Sequence, residues 1–485
     1  MVTKVRCTMD NNNKYIFDIE TISKKESEAN KELRRKKHRQ GRVIAWVVLV
    51  AGILLLGTAL FFGGRALVKG IIGRGGKTVA SVDGSDDGGP GENSVIDKLI
   101  GGEDEVVVTP PEPVEVGPSE EELFEEALRN YIHTMTPEEQ VLGLFIVSPE
   151  QITGVSAAIK AGDGTKKALE EYPVGGIIYS DKNMVDPDQF KTMIEGTKGY
   201  SKYPLFIAVD ETLGKSVFPA KMKVAATQSA SEIAAGGDAS VARAEESKIA
   251  GYLSEFGINL NLGVDADVYP APSGEDDAVP AVSFGTDANV VAEMVTQCIG
   301  ALNEQGISAG VKFFPGQGYA SADTSEAIAQ NERTREEMEA CELLPFISAA
   351  DAGASAFVVS HESVPGLAGE AVYASQSKEV MTNLIRVELE MDGIIIITDD
   401  LSKTAVSAYY ESGEYCVAAL KAGADMLLKP EDFKAAYAEV LNAVNTGVIA
   451  KERVEDSLVR IYKVKFKGMT FDELNSLTAE KIVQP

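Results

Sequence analysis

The sequence is poor in the residues that build metal and redox centres. Its 485 residues include three histidines, His38, His133 and His361, too few for a multi-histidine metal site. The four cysteines, Cys7, Cys298, Cys341 and Cys416, are widely spaced and form no CxxC pair. Neither a zinc site nor a disulfide framework is indicated, and no metal or cofactor is expected. Positive charge is also short: 46 Lys and Arg stand against 74 Asp and Glu, a formal net charge of -28. That excess argues against nucleic acid as a partner and says little about the fold. What is present in quantity is apolar surface, 44% of residues, enough for a sizeable core in one large domain with appendages.

The N-terminal 42 residues read as a polar tail ending in a basic cluster: Lys31, Arg34, Arg35, Lys36, Lys37, Arg39 and Arg42. Residues 43–63 (VIAWVVLVAGILLLGTALFFG) then carry no charge, the length an α-helix needs to cross a bilayer. The preceding region is too long and mixed for an ordinary signal peptide, so the span reads as an uncleaved single-pass anchor in the cell membrane. The basic side is expected to stay in the cytoplasm, with the rest of the chain outside it. Arg65, Lys69, Arg74 and Lys77 follow, less densely. Residues 64–119 read as a stalk rich in Gly, Pro and acidic residues. Such a composition buries too little apolar surface to offset chain entropy, and disorder is expected.

From residue 120 to 467, apolar strand-like runs alternate with amphipathic helical ones; residues 468–485 read as a C-terminal tail. Eight strands are expected, at 143–147, 175–179, 205–210, 258–264, 310–314, 356–361, 394–399 and 425–428. Thr136-Pro-Glu-Glu139 and Thr334-Arg-Glu-Glu337 are capping boxes that start helices. Eight such repeats predict an α/β fold of the (β/α)8 TIM-barrel type, with an open sheet as the alternative.

The most telling stretch is Gly393-Ile-Ile-Ile-Ile-Thr-Asp-Asp-Leu401. Four successive isoleucines do not alternate in and out, so they suit a strand buried on both faces. The two carboxylates that follow belong at the strand's mouth, where ligands collect in parallel α/β folds. Side chains alternate along an extended strand, so Asp399 rather than Asp400 is expected to face the mouth. Asp400 is also open to a plainer role, capping the next helix. Asp210, Lys312, His361 with Glu362, and Asp399 stand in or after four separate strands, and their convergence predicts a pocket.

These residues resemble glycoside hydrolase family 3, in particular its single-barrel β-N-acetylhexosaminidase branch, over about residues 130 to 465. The likeness runs through Tyr172-Pro-Val-Gly-Gly-Ile-Ile-Tyr-Ser180, Pro204-Leu-Phe-Ile-Ala-Val-Asp-Glu211 and Gly257-Ile-Asn-Leu-Asn261. It is strongest at Lys312-Phe-Phe-Pro-Gly-Gln-Gly318 and Gly393–Ser402. The resemblance implies a retaining mechanism with Asp399 as nucleophile and Asp210 and Lys312 as sugar ligands. His361 and Glu211, beside the same strand ends, are further substrate-binding candidates. The implied ligand is a glycan or peptidoglycan-derived sugar of the cell wall.

The sequence departs from the family pattern at five places. Phe313 and Gln317 replace two motif histidines, and Val282 and Lys215 replace arginines. The acid/base loop, Asp-Ser-His in this branch, reads Asp323-Thr324-Ser325, which leaves Asp323 as a vestigial dyad partner. A serine is far too weak an acid to protonate a leaving group near neutrality. Two expectations follow. One is a membrane-anchored hydrolase of O-glycosyl bonds with a substitute acid/base, Glu326 first, then Glu362 or Glu211. The other is a catalytically impaired barrel that binds a glycan or an envelope protein.

Overall fold

The computed structural model describes residues 2–9, 15–22, 118–271, 279–321, 323 and 329–483. The expected anchor at 43–63, almost all of the stalk, and Thr324, Ser325 and Glu326 lie outside the described residues. Among the described residues no helix is long and apolar enough to cross a membrane.

Strands β1 (Val2–Met9) and β2 (Tyr15–Ile22) pair antiparallel, from Val2 with Ile22 to Met9 with Tyr15. Secondary structure in these first residues adds to their reading as a polar tail. VTKVRCTM and YIFDIETI are rich in β-branched and aromatic residues, and that composition favours strands despite the interspersed charges.

The second unit carries the eight expected strands. They are β3 (Phe145–Val147), β4 (Gly176–Ile178), β5 (Phe206–Val209), β6 (Leu260–Asp265), β7 (Ser308–Phe314), β8 (Ala356–Val359), β9 (Ile395–Thr398) and β10 (Leu427–Leu428). All neighbours pair in parallel, in the order β10-β3-β4-β5-β6-β7-β8-β9. A parallel bridge from Ile397 to Met426 joins the two ends, so the sheet is a nearly closed α/β barrel rather than an open sheet.

Local chemistry places the helices between the strands. Thr136 and Thr334 make the capping boxes their sequences announce, each hydroxyl accepting from the backbone N–H three residues on. The 17-residue helix Ala288–Glu304 is capped by Asp287 and followed at Gly306 by a left-handed turn, φ 72°. Residues 468–485 are more than a tail. They contain the helix Phe471–Val483, which packs against the helix Glu120–Ile132 with Leu474 fully buried.

Ile395, Ile396 and Ile397 are all at most 1% exposed. Burial on both faces explains the unbroken apolar run, at about 1.5–3 kcal/mol per side chain. Neighbouring strands β7 and β8 meet through Phe314 and Phe357, stacked at 5.5 Å, with Phe346 edge-on to both.

The lower end of β9 and β10 is tied by a buried charge. The fully buried Asp425 carboxylate accepts from the Ile396 amide (2.9 Å), Ser457 Oγ (2.8 Å) and the Arg386 guanidinium (2.5 Å). Arg460 and Arg453 approach at 3.3 and 3.5 Å. Burial alone would raise this carboxyl, but the three guanidiniums outweigh it and hold it below the ordinary range. A group with a depressed native pKa stabilises above its unfolded value, about 3.9, and loses that contribution as pH falls through the native one. Asp425→Ala should therefore cost about 3–5 kcal/mol near neutrality, because it strands buried guanidiniums. In denaturant titrations the gap to the parent should be full at pH 7 and narrow below about pH 4. A loss under about 1 kcal/mol, or a gap indifferent to pH, would contradict this assignment.

Candidate active site

A cavity of about 380 Å³ opens where the strands end, lined in part by Tyr179, Asp210, Lys312, Phe313, Asp399 and Lys429. These residues stand in or just after β4, β5, β7, β9 and β10. The C-terminal ends of the strands thus form its wall, as the barrel geometry requires.

Asp399 is 4% exposed and sits directly after β9. Its amide donates to the Val359 carbonyl at 2.9 Å, which fixes the backbone against β8. One carboxylate oxygen accepts from the Asp400 amide at 2.7 Å, the other from the Lys403 ammonium at 2.5 Å. Burial pushes the carboxyl up, but the Lys403 ammonium and these hydrogen bonds together hold it below its ordinary value. Lys403 mirrors this: burial lowers it, yet Asp399 raises it above the usual lysine range. The pair is ionised on both sides.

Asp400 also lines the cavity, against the expectation that only Asp399 would. The alternation rule does not reach it because β9 ends at Thr398 and the chain turns. Asp400 accepts from Ser402 N (2.9 Å) and Ser402 Oγ (2.6 Å) and pairs with Lys429 at 2.5 Å. It caps this turn rather than a helix: the next helix, Thr404–Ser407, has Lys403 at its N-cap. Lys429 holds a left-handed conformation, φ 48°, which is uncommon outside glycine. Its amide hydrogen bond to the Ile146 carbonyl, 2.8 Å, and its ion pair hold it there.

Asp210 and Lys312 also meet. The Lys312 ammonium donates to Asp210 and, at 3.1 Å, to Thr212 Oγ1. Asn261 sets the position of this strand end: its fully buried side chain accepts from the Glu211 amide (3.0 Å) and donates to the Glu211 carbonyl (2.9 Å). A Cβ at Gly263 would lie 2.0 Å from that same carbonyl oxygen, so only glycine permits the approach. Phe313, at a motif histidine's position, has the Lys312 and Lys403 ammoniums 5.2 and 5.0 Å from its ring centroid. The ring thus joins the two ion pairs by cation–π contact.

Three of the other expected site residues stand apart from the cavity. His361 is fully buried and does not line it. Its Nε2 faces the Asp400 carbonyl at 3.2 Å and its Nδ1 faces Ser375 Oγ at 2.8 Å. A carbonyl only accepts, so Nε2 carries the proton and Nδ1 accepts. Burial lowers its pKa, despite the opposing pull of Asp399. It is a neutral strut behind the Asp399–Asp400 turn. Glu211 is 2% exposed and turned to Ser216 and, at 2.5 Å, to the Tyr252 hydroxyl. Burial pushes its carboxyl up to about 7. Glu362 is fully buried beside Ser360, and burial raises it well above the carboxylate range. Neither glutamate lines the cavity. Asp323 is exposed.

Sequence reasoning missed Lys403, Lys429, Lys182 and Glu150, all of which line the cavity. Glu150 accepts from the Asn183 side chain (2.7 Å) and the Ala158 amide (2.9 Å). A lysine four residues after a strand-end aspartate was the available signal for Lys403. The other three follow strand ends without a motif that marks a site: Glu150 in the short helix Pro149–Thr153, Lys182 in the 3-10 turn Asp181–Asn183 and Lys429 directly after β10.

Residues 139–464 match the Glycosyl hydrolase family 3 N terminal domain. The chain is 25% identical over 333 residues to the Beta-hexosaminidase A of Pseudoalteromonas piscicida, covering 62% of this chain and 54% of that protein. It therefore spans about half the length of that relative. It is 27% identical over 291 residues to a Beta-hexosaminidase of Idiomarina loihiensis, 57% of this chain and 82% of that one. Among solved structures, a family 3 β-N-acetylglucosaminidase from Paenibacillus sp. superposes with TM-score 0.62 at 28% identity, covering 72% of this chain and 68% of that one. With the barrel and the motif residues at its mouth, the match over most of the folded region identifies the chain as a member of glycosyl hydrolase family 3.

Proposed function

We propose that the protein is a retaining glycosidase of the β-N-acetylhexosaminidase type with Asp399 as nucleophile. The observation that carries the reading is a buried, ionised carboxylate fixed through both oxygens at the wall of a sugar-sized cavity. In such a mechanism the carboxylate attacks the anomeric carbon and a glycosyl-enzyme forms, later opened by water. Asp210 and Lys312 face the same cavity as a matched donor and acceptor for sugar hydroxyls. Expressing the chain and assaying nitrophenyl glycosides tests the reading. Asp399→Asn should reduce hydrolysis to background; because it also removes the partner of Lys403, a lower but still cooperative melting transition should verify that the variant folds. Retained turnover in that variant would exclude Asp399 as nucleophile.

The acid/base has two candidates to test: Glu326, the first expectation from the sequence, and Glu150, which lines the cavity. General acid–base assistance contributes about 10²–10⁴-fold. Loss of the acid should therefore be felt on sugar-linked substrates and hardly at all on nitrophenyl ones, whose leaving group departs unassisted. Glu326→Gln or Glu150→Gln should show that split in kcat/KM. Equal losses on both substrate types in each variant would point to binding instead.

A second reading has its own support. With Lys403 on Asp399 and phenylalanine and glutamine at two motif histidines, the cavity also suits a barrel that binds a glycan or envelope protein without cleaving it. For either reading we propose that residues 43–63 anchor the chain in the cell membrane with the barrel outside the cytoplasm, as the uncharged span behind a basic cluster supports. Protease added to intact spheroplasts should then release the barrel; full protection until lysis would reverse the orientation.

A further inference from the structure

The cavity is matched in charge to a degree that a neutral sugar does not call for. Its lining includes three aspartates, Asp210, Asp399 and Asp400, and each is paired with its own lysine, Lys312, Lys403 and Lys429. Glu150, the fourth acid, is committed to Asn183 and the Ala158 amide. Both of those donors are neutral amides and meet the same oxygen, Oε1; with Lys182 the lining holds four acids and four lysines, so its charge is balanced as a whole. The Lys403 side chain is 21% exposed and that of Asp399 is 5% exposed, so the pair exchanges little of its charge with water.

Glycosylation upsets this balance. One Asp399 oxygen donates an electron pair to the anomeric carbon. The bond from that carbon to the aglycone oxygen breaks, and its electrons leave with that oxygen, which departs as an anion such as nitrophenolate or as an alcohol after taking the proton of the acid/base. The carboxylate becomes a neutral ester, and the Lys403 ammonium loses its hydrogen-bonded counter-charge, keeping only the pull of Asp400 and Asp210, each already paired with a lysine of its own. Removing one member of a buried pair is among the costliest changes a protein site can undergo. The positive charge that develops on the sugar ring before bond formation adds to the mismatch. A neutral sugar supplies no remedy.

We infer that the sugar taken beside Asp399 carries a carboxylate of its own, which pairs with Lys403 as Asp399 is esterified. This rests on the retaining reading above and specifies its substrate class as an acid-bearing glycan. In the resting protein Lys403 guards the nucleophile; in the glycosyl-enzyme it holds the substrate's acid. Lys182, on the cavity rim, adds a further cation for the same group.

Two pairs of 4-nitrophenyl β-glycosides, each differing by one acidic group, test the inference: glucuronide against glucoside, and N-acetylmuraminide against N-acetylglucosaminide. They leave as nitrophenolate, so the identity of the acid/base does not enter. In at least one pair the acidic member should be preferred tenfold or more in kcat/KM. That preference should collapse in Lys403→Gln and be restored in Lys403→Arg, with melting curves verifying that both variants fold. Equal or greater turnover of the neutral member in both pairs would overturn the inference while leaving the hydrolase reading intact. If no glycoside releases nitrophenol, it is the hydrolase reading that fails. Calorimetric binding of glucuronate against glucose, and of N-acetylmuramate against N-acetylglucosamine, to the full chain carrying Asp399→Asn, in which Lys403 has lost its partner as it does in the ester, then decides the cavity's preference. A tenfold advantage for an acid, lost when Lys403→Gln is added, upholds an acid-recognising cavity, and no advantage in either pair refutes it.

Discussion

The site depends on keeping one carboxylate charged inside a barrel wall. Burial works against Asp399, and an isolated ionised acid there would take up a proton. Lys403 prevents this at 2.5 Å, helped by the Asp400 amide at 2.7 Å. The surrounding structure serves that pair. Strand β9, buried on both faces, carries Asp399 to the mouth. His361, neutral and hydrogen-bonded to Ser375 and the Asp400 carbonyl, backs the turn that presents it. The Phe313 ring links Lys403 to Lys312 and so connects this ion pair to the one made by Asp210. A change at any of these residues should be felt at Asp399 through position or charge.

The barrel was legible in the sequence because its strands are buried on both faces. Runs such as Ile394–Ile397 have no partner period to confuse them, and turn and capping residues punctuate the helices between. All eight strands fall where the runs predicted, most shortened by a residue or two at the ends, where the ladder gives way to loops. The site was legible only in part. Asp399, Asp210 and Lys312 share the cavity because barrel topology brings strand ends together. His361 and Glu211 stand at equally suggestive strand ends, yet their side chains point into the wall. Strand position alone does not distinguish the two directions once the chain leaves the ladder. Asp400 faces the cavity for the same reason. Lys403 and Lys429 could be found only from three-dimensional pairing.

One replacement relative to the family pattern has a clear physical sense. Where the pattern has a histidine, Phe313 places an aromatic ring between the Lys312 and Lys403 ammoniums, and the three aspartates of the cavity are each paired with a lysine. The result is a cavity of balanced charge in a chain with a net charge of -28. Outside the barrel, the β1–β2 hairpin shows that β-branched composition outweighed scattered charge in a stretch that hydropathy alone would leave unstructured.

The central claim is that Asp399 forms a covalent bond to sugar. Incubation with 2-fluoroglycosyl fluorides, neutral and acid-bearing, followed by intact-mass and peptide mass spectrometry, tests it most directly. The account predicts one sugar per chain, on the peptide that contains Asp399, and no adduct in Asp399→Asn. An adduct on another carboxylate, or no adduct from any of the reagents, would contradict it.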